Sequence, residues 1–259
     1  MRHTGMLLAA AAGIFLLAAA LGHAMATPRQ ETIATAEGPL EIYAVHHASL
    51  LLTFQGKHIF VDPAPVEEKG NAIAEFRALP KPDLILYTHD HYDHFNAGIL
   101  EAIVGPETVI LAPAEVAAAI PSALRPRVQV MANGDKTTAL GLPVEATAMY
   151  NTTPEHAKFH PKGAGNGYVL GIGGKRIYIA GDTEEVPENA HLGGIDAAFV
   201  PMNQPYTMTV AAAAHWVKDF KPALVYPYHY RNADGTQSDL AAFTAAVGGA
   251  STVKLLKWY

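Results

Sequence analysis

The sequence predicts an α/β (α+β) protein in which sheets are covered by helices, and three observations point there. Short β-branched or aromatic runs alternate with alanine-rich stretches along the chain after residue 26. No low-complexity linker or short-period repeat divides that stretch, so residues 27–259 read as one domain, long enough to bury a large core. Four of the apolar runs end in polar, chemically capable loops, the way a rigid sheet presents chemistry at its edge.

The expected strands, in order, are Leu40–Val45, Ser49–Phe54, His58–Val61, Leu84–Tyr87, Val109–Leu111, Val128–Val130, Val144–Thr147, Tyr168–Ile172, Arg176–Ala180, Ala197–Val200, Leu224–Tyr226 and Val253–Leu256. Gln55-Gly56-Lys57 and Gly173-Gly174-Lys175 supply the glycines that tight hairpins need. Helices are expected at Ala97–Val104, Ala114–Ala119, Val210–Phe220 and Asp239–Val247. Thr209 and Ser238 are the expected N-caps of the last two, since a side-chain oxygen there accepts a free backbone N–H, and Pro222 stops the third.

Ahead of this domain, Arg2 is followed by an uncharged run from Met6 to Leu21 and by Ala24-Met25-Ala26. A positive start, an apolar centre and an A-x-A exit make residues 1–26 a secretory signal peptide, which places the mature protein in the periplasm or outside the cell. The centre is shorter than the roughly 20 residues of a spanning helix, with an uncleaved N-terminal anchor as the other outcome. There is no Arg-Arg pair for folded export and no cysteine for a lipid anchor. Without cysteine there are also no disulfides, and any metal must take nitrogen and oxygen ligands. The net charge is −6, and the 18 Lys and Arg form no dense run, so no nucleic-acid partner is expected. Past the leader no segment is long and apolar enough for stable membrane insertion, which leaves a small-molecule substrate as the expected partner.

The first of the four loops is the most informative stretch. His89-Asp90-His91-Tyr92-Asp93-His94 follows the apolar run Leu84-Ile85-Leu86-Tyr87, so three imidazoles and two carboxylates gather where a buried strand runs out. Burying unpaired charges costs several kcal/mol each, and a divalent metal is an economical partner for them. The spacing lets His89 and His91 aim at one ion while Asp93 and His94 reach a second. The other loops carry Gly181-Asp182-Thr183, Pro201-Met202-Asn203 and Tyr228-His229-Tyr230.

Together, His89-x-His91-x-Asp93-His94, a later histidine, Gly181-Asp182-Thr183 after a strand and His229 near the C-terminus resemble a metallo-β-lactamase-fold hydrolase over residues 40–259. His160-Pro161-Lys162-Gly163 and Gly167-Tyr168 are similar to the branch of the ascorbate-6-phosphate lactonases and N-acylphosphatidylethanolamine phospholipases. The resemblance implies a four-layer αββα sandwich with two divalent metal ions at one edge, zinc by default, with manganese or iron suiting the same ligands. It places His89, His91 and a third histidine on the first ion, Asp93, His94 and His229 on the second, and Asp182 between them. The third histidine is His156 or His160; His160 is favoured because it immediately precedes the Pro-Lys-Gly element, although Tyr150-Asn151 stands where some relatives place a histidine. A hydroxide shared by the ions would attack the substrate, since metal lowers the pKa of water from about 16 toward about 7, and Asp93 would orient it.

The implied activity is hydrolysis of an ester, lactone, amide or phosphoester bond. Two alternatives use the same fold: an iron-dependent oxidoreductase of the persulfide dioxygenase type, and a non-catalytic binding protein. The diiron flavoprotein branch presents a glutamate where this chain has His91, and degeneration normally removes ligands, whereas every position here is filled. His47, beside His46, occupies the place of a supporting histidine in relatives. Asn203, Tyr206 and Arg231 are candidate substrate contacts, with a shaped turn or a solvated arginine as their plainer roles. Asp90 reads as a loop cap, and His58, His191 and His215 as structural or surface residues; His3 and His23 belong to the leader.

Overall fold

In the computed structural model, which describes residue 1, residues 27–65 and residues 72–259, the chain forms two seven-stranded mixed sheets. Residues 2–26, the expected leader with His3 and His23, lie outside the described residues, as does the side chain of His191. The first sheet holds β1 (Gln30–Thr35), β2 (Gly38–His46), β3 (Ser49–Phe54), β4 (Lys57–Val61), β5 (Leu84–Leu86), β6 (Val109–Ala112) and β7 (Val128–Val130), side by side in chain order. The second holds β8 (Lys136–Ala139), β9 (Leu142–Met149), β10 (Gly165–Ile172), β11 (Lys175–Ile179), β12 (Ala197–Pro201), β13 (Leu224–Tyr228) and β14 (Thr252–Val253), again in chain order.

Local chemistry explains the connections. The β3–β4 hairpin turns on Gln55-Gly56, with Phe54 opposite Lys57 and positive φ at both turn residues, and Gly173-Gly174 closes β10–β11 the same way. Each sheet runs through an antiparallel meander, from β1 to β4 and from β8 to β11, on short turns except between β9 and β10, where residues 150–164 form a long loop. From β4 to β7 and from β11 to β14 the strands are parallel and need longer crossovers. In the first sheet these contain α1 (Ala72–Ala78), α2 (Ala97–Ile103) and α3 (Ala114–Ala119); in the second, α4 (Val210–Phe220) and α5 (Leu240–Val247). Each half of the chain thus builds one sheet with the same topology.

The helices close the layers. Leu84 and Leu86 of β5 point into the core between the sheets, while Ile85 points outward under Ile99, Leu100 and Ile103 of α2. A strand buried on both faces reads as an unbroken apolar run, and β5 does. On the other side, Trp216 and Phe220 of α4 pack edge-on against Tyr178 of β11, both with ring centroids 6.0 Å from it. The result is the expected αββα arrangement.

Thr209 caps α4 as expected, accepting from Ala212 N at 3.2 Å. The expected Ser238 cap is corrected: Asp239 accepts from the N–H groups of Ala241 and Ala242, and Ser238 Oγ donates to Met202 O instead. Strands β1 and β8 and helix α1 were not expected from their sequences. The segments of β1 and β8 are polar with no clean alternation, and pairing with β2 and β9 supplies their order. The expected strand Val253–Leu256 pairs only through Thr252 and Val253, after which Leu256 and Trp258 turn into the core. Among the described residues, no helix is long and apolar enough to cross a membrane.

Candidate metal centre

The four polar loops converge at one edge, beyond the carboxyl ends of parallel strands, where open α/β sheets place their ligands. Thr88–His94 follows β5, Asp182 follows β11, Asn203 follows β12 and His229 follows β13. Asp62, immediately after β4, and His47, in the β2–β3 turn, join them. The β9–β10 connection brings Asn151 and His160. His47, Asp62 and His229 all adopt left-handed backbone at φ 55, 45 and 43, a costly conformation for non-glycine residues that concentrates at functional sites.

The side chains fall into interlocking groups whose nitrogen and oxygen atoms lie within 4.8 Å of one another: His89, His91 and His160; His47, Asp93, His94 and His229; and His89, His94 and Asp182. Asp182 ties the groups together. Its Oδ1 lies 3.3 Å from His94 Nε2, and its Oδ2 lies 3.2 Å from His229 Nε2 and 3.5 Å from His160 Nε2. The structure therefore brings together all seven residues predicted from sequence to hold metal, and of the two alternatives for the later histidine it is His160 that enters the cluster. His156 instead pairs with Glu184, Nδ1 to Oε1 at 2.8 Å.

Whether these residues fit metal ions is tested by their hydrogen bonding. His94 Nδ1 donates to Asp62 Oδ2 at 2.8 Å, and His160 Nδ1 donates to Tyr206 O at 3.2 Å. Thr88 Oγ1 gives its proton to Asp62 Oδ2 at 2.6 Å, so at 2.9 Å from His89 Nδ1 it accepts from that ring. Each imidazole is thereby fixed with a bare Nε2 turned inward. The Nε2 atoms of His89, His94, His160 and His229, with Asp182 Oδ1, are buried without a hydrogen-bond partner. Buried polar atoms are normally satisfied, and five such orphans facing one another fit divalent cations.

Two neighbours were not found by sequence reasoning. Asp62 is fully buried and receives Thr88 N at 2.7 Å as well as His94 Nδ1; its signal was a carboxylate directly after an apolar strand. Tyr259 hydrogen-bonds His47 Nδ1 at 2.8 Å, and its oxygen accepts from Arg231 N at 3.3 Å. The phenol therefore donates to His47, whose Nε2–H then donates to Asp93 Oδ2 at 3.1 Å. His47 thus supports Asp93, the role expected of it. Carboxylates that orient metal-bound imidazoles typically matter 10–100-fold in affinity. Asp62→Asn is expected to weaken metal binding by about that factor, read by titration with a chromophoric competitor.

Electrostatics sorts the groups into two sets. Burial lowers His89 well below its usual value, pushes His160 down to about 4 and, with nearby His229, pushes His47 down to about 3. Burial also opposes charge on His94 and His229, but Asp182 overcomes it and raises both. Asp182 and Asp93 would be raised by burial, yet His229 and His94 hold Asp182 well below the carboxylate range, and nearby His229 with the hydrogen bond from His47 does so for Asp93. The carboxylates thus favour charge on His94 and His229, while burial favours neutral His47, His89 and His160.

The close approach of β11 to this network rests on Gly181, at φ 69. A Cβ there would meet Met149 Sδ at 2.5 Å and Thr88 Cβ at 3.2 Å. Gly181→Ala is expected to cost about 2 kcal/mol or more through strain and crowding, seen as a lower denaturation midpoint.

A cavity of about 230 Å³ opens over the ligands, its other walls being Tyr92, Phe159, Asn203 and Tyr206. Asn203 and Tyr206, the two candidate substrate contacts on this edge, thus line the cavity. Arg231 does not line this cavity; its guanidinium lies 4.5 Å over the Tyr259 ring. His58 lies 3.7 Å from Asp83, and His215 sits exposed beside Glu185 and Asp219, in the structural and surface roles expected. Asp90 is exposed and belongs to no ligand group.

A family model described as a beta-lactamase superfamily domain matches residues 57–230, which span the cluster, Asp182 and His229. The chain belongs to this superfamily. Among its members, a UPF0173 metal-dependent hydrolase of Pyrococcus abyssi is 30% identical over 206 residues, covering 78% of this chain and 89% of the relative. A similar protein of Thermoplasma acidophilum is 29% identical over 206 residues, covering 77% and 88%. A crystal structure of a Parabacteroides distasonis protein described as a metal-dependent hydrolase superposes with a TM-score of 0.78 at 36% identity, over 88% of this chain and 99% of the other. A metallo hydrolase from Ignicoccus hospitalis, 21% identical, shares the superfamily fold with a TM-score of 0.68 over 84% and 95%.

Proposed function

We propose that this superfamily member is an exported dinuclear hydrolase acting on an ester, lactone, amide or phosphoester bond of a small molecule. The observation that carries the reading is the set of five buried, unpartnered ligand atoms converging on one space. His89, His91 and His160 would hold one divalent ion, Asp93, His94 and His229 the other, and Asp182 both, with zinc the default and manganese or iron compatible. Bound there, the ions would supply Lewis acidity and a water ionised near neutral pH.

The protein's own part follows from its hydrogen bonds. Asp93 is held strongly ionised, so it serves as an acceptor that aims a water O–H rather than as a store for its proton. His47 fixes that aim by occupying Asp93 Oδ2. The buried carboxylate of Asp182 offsets the charge of two cations, and Tyr92, Phe159 and Tyr206 restrict access of bulk water. In the overall reaction, the water oxygen bonds to the acyl carbon or phosphorus, the leaving oxygen or nitrogen departs, and the water proton goes to it.

The test is elemental analysis of the purified mature protein with a screen of ester, lactone, phosphodiester and β-lactam substrates. Close to two transition-metal ions per chain and hydrolysis of at least one class are expected. No bound metal after supplementation would overturn the proposal, and iron with oxygen uptake would move the chain to the oxidoreductase alternative. For export, residues 1–26 are proposed as a cleaved leader, so the mass of the secreted chain should correspond to a start at Thr27; a full-length chain retained at the membrane would favour an uncleaved anchor.

A further inference from the structure

The cavity over the ligands carries more than a place for metal, and its walls bear on the substrate. Among the described residues, no lysine or arginine lines it. Lys158 lies outside, its Nζ 5.0 Å over the Phe159 ring, and Lys162 pairs with Glu188. A substrate carrying a second anionic group, away from the bond to be cleaved, would find no cationic side chain on these walls to replace its lost hydration. What the walls offer instead is aromatic surface. Tyr92 is 71% exposed, the most exposed aromatic side chain among the large hydrophobic residues described, and it stands between the ligands His91 and Asp93. On the same walls, Phe159 and Tyr206 meet edge to face with centroids 5.0 Å apart. Tyr206 is held from its backbone, whose carbonyl accepts from Asn151 Nδ2 at 2.7 Å. Asn203 is the one neutral amide on the wall, and its Oδ1 accepts from Thr207 Oγ1 at 2.5 Å, which leaves the amide nitrogen as an uncharged donor.

We infer that the site selects a small molecule that is uncharged away from the bond to be cleaved and bears one aromatic or similarly flat apolar group, held against Tyr92 and the Phe159–Tyr206 pair. This rests on the hydrolase reading above. Size agrees: about 230 Å³ is below the usual 300–1,000 Å³ of ligand pockets, and about 150 Å³ suffices for a benzene ring. Ring contacts of this kind contribute on the order of a few-fold to ten-fold in affinity.

Two 4-nitrophenyl esters of equal chain length, the butyrate and the hemisuccinate, differ only in a remote methyl or carboxylate. With the metal-loaded protein, kcat/KM is expected to be at least about ten-fold higher for the butyrate. Tyr92→Ala is expected to raise KM for phenyl acetate several-fold more than KM for methyl acetate. Equal rates on the two nitrophenyl esters, or equal changes in the two acetates, would overturn the inference. If no substrate of any class is hydrolysed, the hydrolase reading fails instead, and binding then decides the inference. Benzyl alcohol should show saturation-transfer NMR signals with the protein as purified that weaken in Tyr92→Ala and Phe159→Ala; no signal with the unaltered chain overturns it.

Discussion

Asp93→Ala is expected to lower hydrolysis by at least about 10³-fold, some 4 kcal/mol of transition-state stabilisation, while the bound metal falls from two ions per chain toward one. The carboxylate has three neighbours to lose. It accepts from His47 at 3.1 Å, lies 3.5 Å from His229 Nε2, and shares a ligand group with His94. The group formed by His89, His91 and His160 contains no atom of Asp93, so one ion should be retained. Asp93→Asn separates charge from shape, because its amide oxygen can still accept from His47. It should keep thermal stability closer to that of the unaltered chain and still lose most activity. Elemental analysis, thermal unfolding and turnover of bis(4-nitrophenyl) phosphate read the three quantities; activity within ten-fold of the unaltered enzyme would remove Asp93 from the chemistry.

The second large effect is a divergence between metal-free and metal-loaded stability as pH rises. In the metal-free chain His47, His89 and His160 are held neutral, so below about pH 6.5 the unfolded chain binds more protons and stability falls with pH. For His160 alone, a fall from 6.5 to about 4 corresponds to roughly 3 kcal/mol lost by pH 4. His94 and His229 have the opposite sign. Their folded values lie above 6.5, so their contribution is complete below that pH and is lost as pH rises through the folded values. Asp93 and Asp182, held low, contribute above about pH 4 and lose that contribution in stronger acid. The metal-free protein should therefore be most stable near pH 6.5. Metal binding requires unprotonated His94 and His229, so the loaded protein should continue to gain above that pH. Thermal unfolding with and without chelator from pH 4.5 to 9 measures both curves, with a gap on the order of 10 °C expected at the alkaline end. A gap independent of pH would show that these imidazoles do not exchange protons for metal.

Much of this centre was legible because its ligands announce themselves locally. Six consecutive residues after an apolar strand, a Gly-Asp-Thr after another and a histidine after a third each break a hydrophobic pattern where a metal ligand has to stand. Asp62 carries only a faint form of that signal, a lone carboxylate after an apolar strand, His47 was placed by resemblance alone, and Tyr259 has no such pattern. His47 and Tyr259 are separated by 212 residues, and only the folded chain makes them partners. The fold divides in the same way. Strands with strong β-branched runs were placed to within three residues at either end, whereas β1 and β8 owe their order to neighbouring strands. The Ser238 and Asp239 pair shows the limit of local signals: either could cap a helix, and the claim of Met202 O on the serine hydroxyl decides between them.

The division of the chain into one sheet per half has a consequence for assembly. Residues 30–130 supply His89, His91, Asp93 and His94, and residues 136–253 supply His160, Asp182 and His229. Neither half holds a complete set for either ion, so each ion would cross-link the two. Metal uptake then acts as adhesive across the seam, and chelation should loosen one half from the other before either unravels. Two fragments cut between Val130 and Lys136 would be silent apart, and recovered turnover on mixing them with metal would report their reunion.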